Sequence, residues 1–176
     1  MLLYILAGIV VVVLLNLLMK WLVTQPAKYR DLTTPILRYL LREVYVRGFD
    51  GAYLHIDLRR SGTYFRVYKT MVSHGVARLT VSVPPVAQAL VGHGTVEQAL
   101  NENGFQGLVT RGAVSHDANG DLVIDCGSGI AQATVIVEFL LRQVFHVEEE
   151  GDGVAYARNC HPDPRAHPGF DTAPLP

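Results

Sequence analysis

The feature that most constrains this chain is its amino terminus, where residues 1–19 carry no charged side chain. Most of this stretch is leucine, isoleucine and valine. At a rise of about 1.5 Å per residue, a helix from Leu2 to Val23 is long enough to cross a bilayer core of roughly 30 Å. The sequence therefore predicts a single transmembrane anchor over residues 1–23.

A cleaved signal peptide is the alternative interpretation of the same stretch. Signal peptides begin with a basic region and end at a small-residue cleavage site. Neither feature is present around residues 1–23, which favours a retained anchor. Lys20, Lys28 and Arg30 follow the stretch and no lysine or arginine precedes it. The positive-inside rule then predicts a single-pass protein of the cell membrane, inner or intracytoplasmic, with its soluble part in the cytoplasm.

Three residues of the predicted anchor are expected to lie at the membrane interface. Lys20 and Trp21 have the chemistry of a snorkelling cation beside an amphipathic ring. Asn16 has two interpretations that the sequence leaves open. It either donates a hydrogen bond to a neighbouring membrane helix or is hydrated near the headgroups.

The remaining chain divides into a linker over 24–33, a globular domain over 34–147 and a proline-rich extended tail over 148–176. The domain is long enough to bury a core of its own. The net charge of −1 does not favour a nucleic-acid partner. Two cysteines, Cys126 and Cys160, fit a reducing compartment and form no disulfide framework.

Hydrophobic periodicity predicts that the domain is α+β. Thr34 and Pro35 begin a helix as N-cap and first helical residue, and Gly48 ends it. Thr95 and Gln98 predict a capping box, and Ser128 is the predicted cap of the last helix. Alternating residues predict strands over 53–59, 63–71, 76–83, 107–115 and 121–126. The order α-β-β-β-α-β-β-α predicts a two-layer sandwich, with helices on one face of an antiparallel sheet.

This order of elements resembles the type III secretion chaperone-like fold, which small bacterial chaperones share with the YbjN family of regulators. The resemblance covers roughly residues 34–145 and rests on element order alone. It implies a protein-binding module rather than an enzyme, and it assigns no site residue. Those chaperones are generally soluble, so the predicted anchor departs from their pattern.

One stretch has the form of a cofactor-binding turn. Asp125, Gly127 and Gly129 lie between a predicted strand and a predicted helix, which resembles the first motif of S-adenosylmethionine-dependent methyltransferases. That fold needs several further strand–helix units, whereas one helix and a tail remain here. We therefore expect Gly127 and Gly129 to make a turn, and we predict no cofactor.

A second stretch contains residues that ligate metals in other proteins. Cys160, His161 and His167 lie near Asp163, but their spacing matches no zinc motif. The intervening prolines favour an extended segment. The sequence therefore predicts no metal site.

The predicted sheet has one polar face on which tyrosines and arginines alternate. These residues are Tyr53, Arg59, Tyr64, Arg66, Tyr68 and Arg78. They form a candidate protein-contact face, since interfaces are enriched in tyrosine and arginine. A solvated face with cross-strand packing remains the simpler interpretation. Base stacking, as on RNA-binding sheets, is disfavoured by the near-zero charge and the predicted tether.

These observations lead to three functional hypotheses. The first is a non-catalytic, single-pass accessory subunit that stabilises a larger membrane complex, such as a respiratory or photosynthetic one, and contacts its subunits through anchor, sheet face and tail. The second is a membrane-tethered adaptor or chaperone-like module that binds peptides. An enzyme using the turn from Asp125 to Gly129 is the least supported, and no catalytic residue is predicted.

Overall fold

The computed structural model describes residues 10–15, 28–30, 32–72, 75–89, 95–147 and 152–160. These residues form an α+β architecture whose antiparallel sheet has six strands in the order β4-β5-β3-β2-β1-β6. The strands are β1 Gly48–Leu58, β2 Thr63–Val72, β3 Val76–Val83, β4 Val114–His116, β5 Leu122–Asp125 and β6 Gly153–Cys160. The helices are α1 Thr34–Arg42, α2 Pro85–Gln88, α3 Val96–Glu102, α4 Gln106–Thr110 and α5 Ile130–Phe139. The π-helical turns Glu43–Arg47 and Leu140–Val144 extend α1 and α5.

Alternation along the strands gives the sheet one buried face and one polar face. On β1, Leu54 and Ile56 are fully buried, while Tyr53 and Asp57 on either side of them are only partly buried. The same period of two continues on β2 and β3. The buried face shares one hydrophobic core with the apolar sides of α1 and α5. The sheet is thus covered on one side, as a two-layer architecture requires.

A polar contact fixes the two main helices relative to each other. The Thr34 hydroxyl at the start of α1 donates to Oε1 of Glu138 in α5 at 2.5 Å. Thr34 therefore does not cap its own helix, which corrects its predicted role. The N-cap is Thr33, and Pro35 follows within the first turn.

β1 begins directly after the π-helical turn of α1, without a connecting loop. Gly48 forms this junction. A Cβ atom on Gly48 would lie 2.2 Å from the carbonyl oxygen of Val44 and 2.4 Å from Cβ of Ala52. The absence of a side chain is therefore what lets the chain change from helix to strand at this point.

The sixth strand lies in the segment that the sequence predicts as an extended tail. Residues of β6 pair with β1 in antiparallel register, including Ala155 with Ile56 and Ala157 with Leu54. On its other edge, Ala155 exchanges two backbone hydrogen bonds of 2.9 Å with Tyr29. The predicted boundary between domain and tail at residue 148 thus assigns β6 to the tail, although β6 is part of the domain's sheet. Residues 161–176 lie outside the described part of the chain.

Local predictions have mixed outcomes in the second half of the domain. The capping box is confirmed, because the Thr95 side chain accepts from the Gln98 amide and the Gln98 side chain accepts from the Thr95 amide. The predicted strand over 107–115 is wrong in its first part, where α4 lies. Ser128 is not the cap of α5, whose N-cap is Gly129.

The predicted transmembrane anchor is wrong, since no helix among the described residues is long and apolar enough to cross a membrane. Within the predicted span, residues 10–15 are described and are helical. The single-pass membrane localisation rested on this anchor and is corrected with it. Asn16, Lys20 and Trp21, the predicted interface residues, fall outside the described residues.

Candidate functional site

The candidate site is the polar face of the sheet, which we call the outer face because it is turned away from α1 and α5. Register places Tyr53 opposite Tyr68, and their ring centroids are 5.6 Å apart. Tyr64 and Arg66 lie on the same face of β2, one pleat apart. The structure therefore brings together four of the six residues predicted for a protein-contact face.

The other two predicted residues have different surroundings. Arg78 on β3 donates from Nη2 to Oδ2 of Asp125 at 2.5 Å, which neutralises it within the sheet. Arg59 follows the end of β1 and is exposed, and its backbone amide donates to the carbonyl of Asp152. Neither residue joins the tyrosine cluster.

Arg66 is the centre of the cluster. Its guanidinium lies over two rings, 4.6 Å from the centroid of Tyr64 and 5.4 Å from that of Tyr53. Its Nη1 donates to the Tyr68 hydroxyl at 3.1 Å. Burial of Arg66 lowers its pKa, but the Tyr68 hydrogen bond and the neighbouring phenols outweigh burial and raise the pKa overall. Arg66 is therefore a permanent cation held in one orientation.

His55 completes this network and was missed by sequence reasoning. Its ring stacks between Tyr64 and Tyr156, with centroids 4.8 and 4.9 Å away, and the residue is only 7% exposed. Nε of Arg66 donates to Nδ1 of His55 at 3.1 Å, and Nε2 lies 2.7 Å from Oδ1 of Asp57. Because Nδ1 accepts, the ring proton is on Nε2 and is donated to Asp57. The alternation of polar and apolar residues from Tyr53 to Asp57 is the sequence signal that could have placed His55 on this face.

β6 adds aromatic and basic groups to the site. The sequence prediction had placed these residues in the extended tail. The Tyr156 ring lies beneath two cations, with Lys28 Nζ at 5.8 Å and the Arg158 guanidinium at 5.3 Å from its centroid. Such cation–π pairs hold long side chains against the sheet. The aromatic layer thus runs across three strands, β6, β1 and β2.

A groove of about 500 Å³ lies beside this layer, over β2, β3 and the β4–β5 hairpin. Its lining includes Tyr64, Arg66, Tyr68, Thr70, Thr80, Ser82, Asp117, Asn119, Asp121 and Val123. Ser82 donates its hydroxyl to Oδ2 of Asp121 at 2.6 Å. Oδ1 of Asp117 accepts from the amides of Asn119 and Asp121, which fixes the hairpin turn. One wall of the groove is therefore cationic and aromatic, and the other is acidic.

The turn that resembles a cofactor motif is occupied by its own contacts. The amide of Gly127 donates to Oδ1 of Asp125 at 2.8 Å, and the second carboxylate oxygen holds Arg78. Gly127 has a φ of 68°, a conformation that suits glycine. These contacts make a closed Asx-type turn from Asp125 to Gly127. The predicted turn at Gly127 is therefore present, whereas Gly129 is the N-cap of α5.

The two thiols are poorly placed for nucleophilic chemistry. Cys126 is fully buried, and burial raises its pKa to about 12. Burial also raises the pKa of Cys160, and the nearby Glu43 carboxylate adds to the shift. No group of three potential metal ligands occurs within the described ranges. His161, Asp163 and His167 lie outside those ranges.

The resemblance to the type III secretion chaperone-like fold stays a prediction. No protein-family model matches this chain, and no match to it was found among curated proteins or solved structures.

Proposed function

We propose that this protein is a non-catalytic protein-binding module and that its outer face holds the partner. The observation that carries the proposal is the clamped Arg66, fixed by His55 and Tyr68 and stacked on two tyrosine rings. Tyrosine and arginine supply much of the binding energy of protein interfaces. Because these side chains are already ordered, a partner meets them at little further cost in entropy.

The acid–base group of the outer face is arranged for structure rather than for catalysis. Both ring nitrogens of His55 are engaged, and its two faces are covered by Tyr64 and Tyr156. A general base has to reach the proton that it removes from a substrate. The buried Cys126, with its raised pKa, offers no thiolate in its place.

The polarity of the outer face favours an adaptor or chaperone-like role with a separable partner. Permanent subunit interfaces are more hydrophobic than this groove of hydroxyls, carboxylates and one guanidinium. Transient interfaces are more often polar.

A different observation supports an accessory subunit of a larger complex. Apolar side chains are exposed at the end of the sheet where β2 meets β3, with Met71 40%, Val72 40% and Val76 50% exposed. Val46, in the π-helical turn, is 62% exposed. A second, apolar contact area of this kind suits a permanent neighbour.

Affinity purification of the tagged full chain tests the proposal. The informative variant is the double change Tyr53→Ala and Tyr68→Ala, which removes one ring pair from the outer face. Glu102→Ala, on an exposed position of α3, is the control. We expect wild type and control to retain the same partner in stoichiometric amounts and the double variant to lose it, with folding checked by circular dichroism.

Two results contradict the proposal. One is the absence of any stoichiometric partner for wild type, and the other is equal recovery by the folded double variant. Exchange against untagged protein then separates the two roles. A partner that exchanges within minutes indicates an adaptor, whereas one that stays bound indicates an accessory subunit.

A further inference from the structure

The imidazole ring of His55 is enclosed by groups from three strands. Tyr64 of β2 and Tyr156 of β6 cover its two faces, and the residue is 7% exposed. On β1, Oδ1 of Asp57 lies 2.7 Å from Nε2, and on β2 the Nε of Arg66 donates to Nδ1 at 3.1 Å. An imidazole accepts a hydrogen bond only at an unprotonated nitrogen. The contact with Arg66 therefore exists only while His55 is neutral.

The charged groups around His55 act on its protonated form in opposite directions. The Asp57 carboxylate, at Nε2, favours the imidazolium, whereas the Arg66 guanidinium, at Nδ1, disfavours it. On the β6 side, Lys28 and Arg158 contact the tyrosine ring that covers His55, and they add further positive charge. The two nitrogens of the ring are thus in contact with groups of opposite charge.

Protonation of His55 breaks the contact with Arg66 and preserves the others. The added proton is on Nδ1, so that an N–H donor and a positive charge face the Nε–H donor of Arg66. The Nε2–H donor stays with Asp57, and this hydrogen bond then joins two charged groups, which strengthens it. Aromatic faces attract cations, so the two tyrosine rings still cover the imidazolium. Protonation therefore displaces the guanidinium while His55 keeps its place.

We propose that His55 is a pH-dependent switch of the outer face, whose neutral ring orders Arg66 for partner binding and whose protonated ring releases it. On release, Arg66 keeps the hydrogen bond from Nη1 to the Tyr68 hydroxyl but loses the one from Nε, so one of the two bonds that orient it is gone. Partner binding therefore weakens as the pH falls. This effect on the partner rests on the proposed function, whereas the effect on Arg66 is a property of the free protein.

Nuclear magnetic resonance of the nitrogen-15-labelled full chain, recorded from pH 8 to pH 5, tests the switch without a partner. We expect the ring nitrogens of His55 to titrate in this range and the Arg66 Nε–H resonance to broaden or move with the same midpoint. His116→Gln, at an exposed histidine of β4, is the control and should preserve this coupling. A titration of His55 that leaves the Arg66 resonance unchanged overturns the inference, and so does the absence of a His55 titration in this range.

The variant His55→Gln separates protonation of His55 from other effects of acid. A glutamine amide offers an acceptor to Arg66 and a donor to Asp57, but it does not titrate. We expect the Arg66 Nε–H resonance of this variant to be the same at pH 8 and pH 5. Persistence of the wild-type pH response in folded His55→Gln overturns the inference.

Asp57→Asn provides a second test, which stays informative if circular dichroism shows that His55→Gln does not fold. It removes the carboxylate that favours the imidazolium. The His55 and Arg66 transitions should therefore move together to lower pH, by about one unit. Transitions that stay at the wild-type pH, or that separate from each other, contradict the switch.

Washing the bound partner at low pH tests the consequence for binding. The partner that tagged wild type retains at pH 8 is washed on the resin at pH 5. We expect its affinity to fall at least about tenfold for wild type and for His116→Gln, the factor of one lost charge-assisted hydrogen bond, and to change little for His55→Gln. Equal retention by wild type at both pH values overturns the control of binding by His55, and so do equal losses from all three proteins.

The failure of this inference and the failure of the proposed function are distinguishable. If wild type retains no partner at pH 8, the proposed function is wrong, and the resonance experiment on the free protein still tests the switch. If the tyrosine variant loses the partner but acid does not release it from wild type, the outer face is the binding surface and His55 does not control it.

Discussion

His55 shows how one side chain sets the properties of its neighbours. It accepts from Arg66, donates to Asp57 and separates the rings of Tyr64 and Tyr156. These contacts convert a flexible arginine into a fixed element of the surface. The histidine is therefore a positioning residue for Arg66 and need not touch a partner itself.

The first prediction follows from this arrangement. His55→Ala removes two hydrogen bonds and two stacking contacts from a buried position, so we expect unfolding free energy to fall by about 2–3 kcal/mol. Urea denaturation measures the loss, and the Arg66 Nε–H resonance should broaden or move. Arg59→Ala, at an exposed position directly after β1, should stay within about 0.5 kcal/mol of wild type. Equal effects of the two changes would contradict a special role for His55.

The second prediction concerns the thiols. With a pKa of about 12, Cys126 is almost entirely protonated at pH 8, and it is also fully buried. The thiolate is the reactive species and needs access to the reagent, so native protein treated with iodoacetamide at pH 8 should be alkylated at the partly exposed Cys160, slowly because its pKa is also raised, and not at Cys126. Peptide mass spectrometry identifies the site. Cys160→Ser should abolish labelling of native protein, and denaturant should restore a labelled thiol at Cys126.

The placement of the tyrosines could be predicted from the sequence because it depends on alternation alone. Once Leu54 and Ile56 are assigned to the core, Tyr53 has to point the other way. The role of His55 could not be predicted, because it depends on Arg66 of the next strand and on Tyr156, about a hundred residues away. The pairing register between two strands cannot be read from the hydrophobic pattern of one strand alone.

Among the elements, the junction of α1 and β1 is the most tightly constrained. Gly48 lies where a Cβ atom would overlap a backbone carbonyl, and backbone cannot move aside as a flexible side chain can. Its carbonyl also accepts from the buried Lys69 Nζ at 2.7 Å. Helix, strand and a buried cation therefore meet at one residue.

The third prediction tests that junction. Gly48→Ala should reduce stability by about 1–3 kcal/mol, the usual cost of overpacking, because the added methyl group has no space. Gly107→Ala is the matched control, since its Cβ would meet only the end of the Arg111 side chain, at 3.3 Å. Within a helix that change should be neutral or stabilising by up to about 1 kcal/mol. The thermal unfolding midpoints of the two variants, each compared with wild type, test this prediction.

Several elements defined by local patterns agree with the sequence, whereas α4, a short local element, and β6, whose partner is distant, do not. The meander β1–β2–β3 and the capping box at Thr95 each depend on residues close in the chain. α4 was predicted as a strand because its few residues fit either period. β6 has no clean alternation, since Tyr156, Ala157 and Arg158 are all partly or largely exposed, and its partner β1 is distant.

At the scale of the whole molecule, the predicted single-pass anchor is wrong, because no helix within the described ranges is long and apolar enough to cross a membrane. That prediction rested on the apolar composition of the amino terminus. The α+β class depended instead on periodicity, and the described domain is α+β with an antiparallel sheet.

The fourth prediction concerns the closure of the sheet. Deleting residues 153–176 removes β6, so the outer edge of β1 loses its backbone partners and the core loses Ala155. We expect the amides of His55 and Asp57, which face β6, to lose most of their protection in hydrogen exchange, with a lower unfolding midpoint. Deleting residues 161–176 keeps every described strand and should preserve both. Equal protection in the two truncations would contradict a structural role for β6.

The position of β6 also has a consequence for how the chain folds. β1 pairs with β2 through a short turn, but its other neighbour arrives about a hundred residues later. Contacts between such distant segments require closure of a long loop and form slowly. Until then β1 presents an open edge, which is a template for association between chains. We therefore expect β6 to dock late in folding, and its docking to end the exposure of the β1 edge.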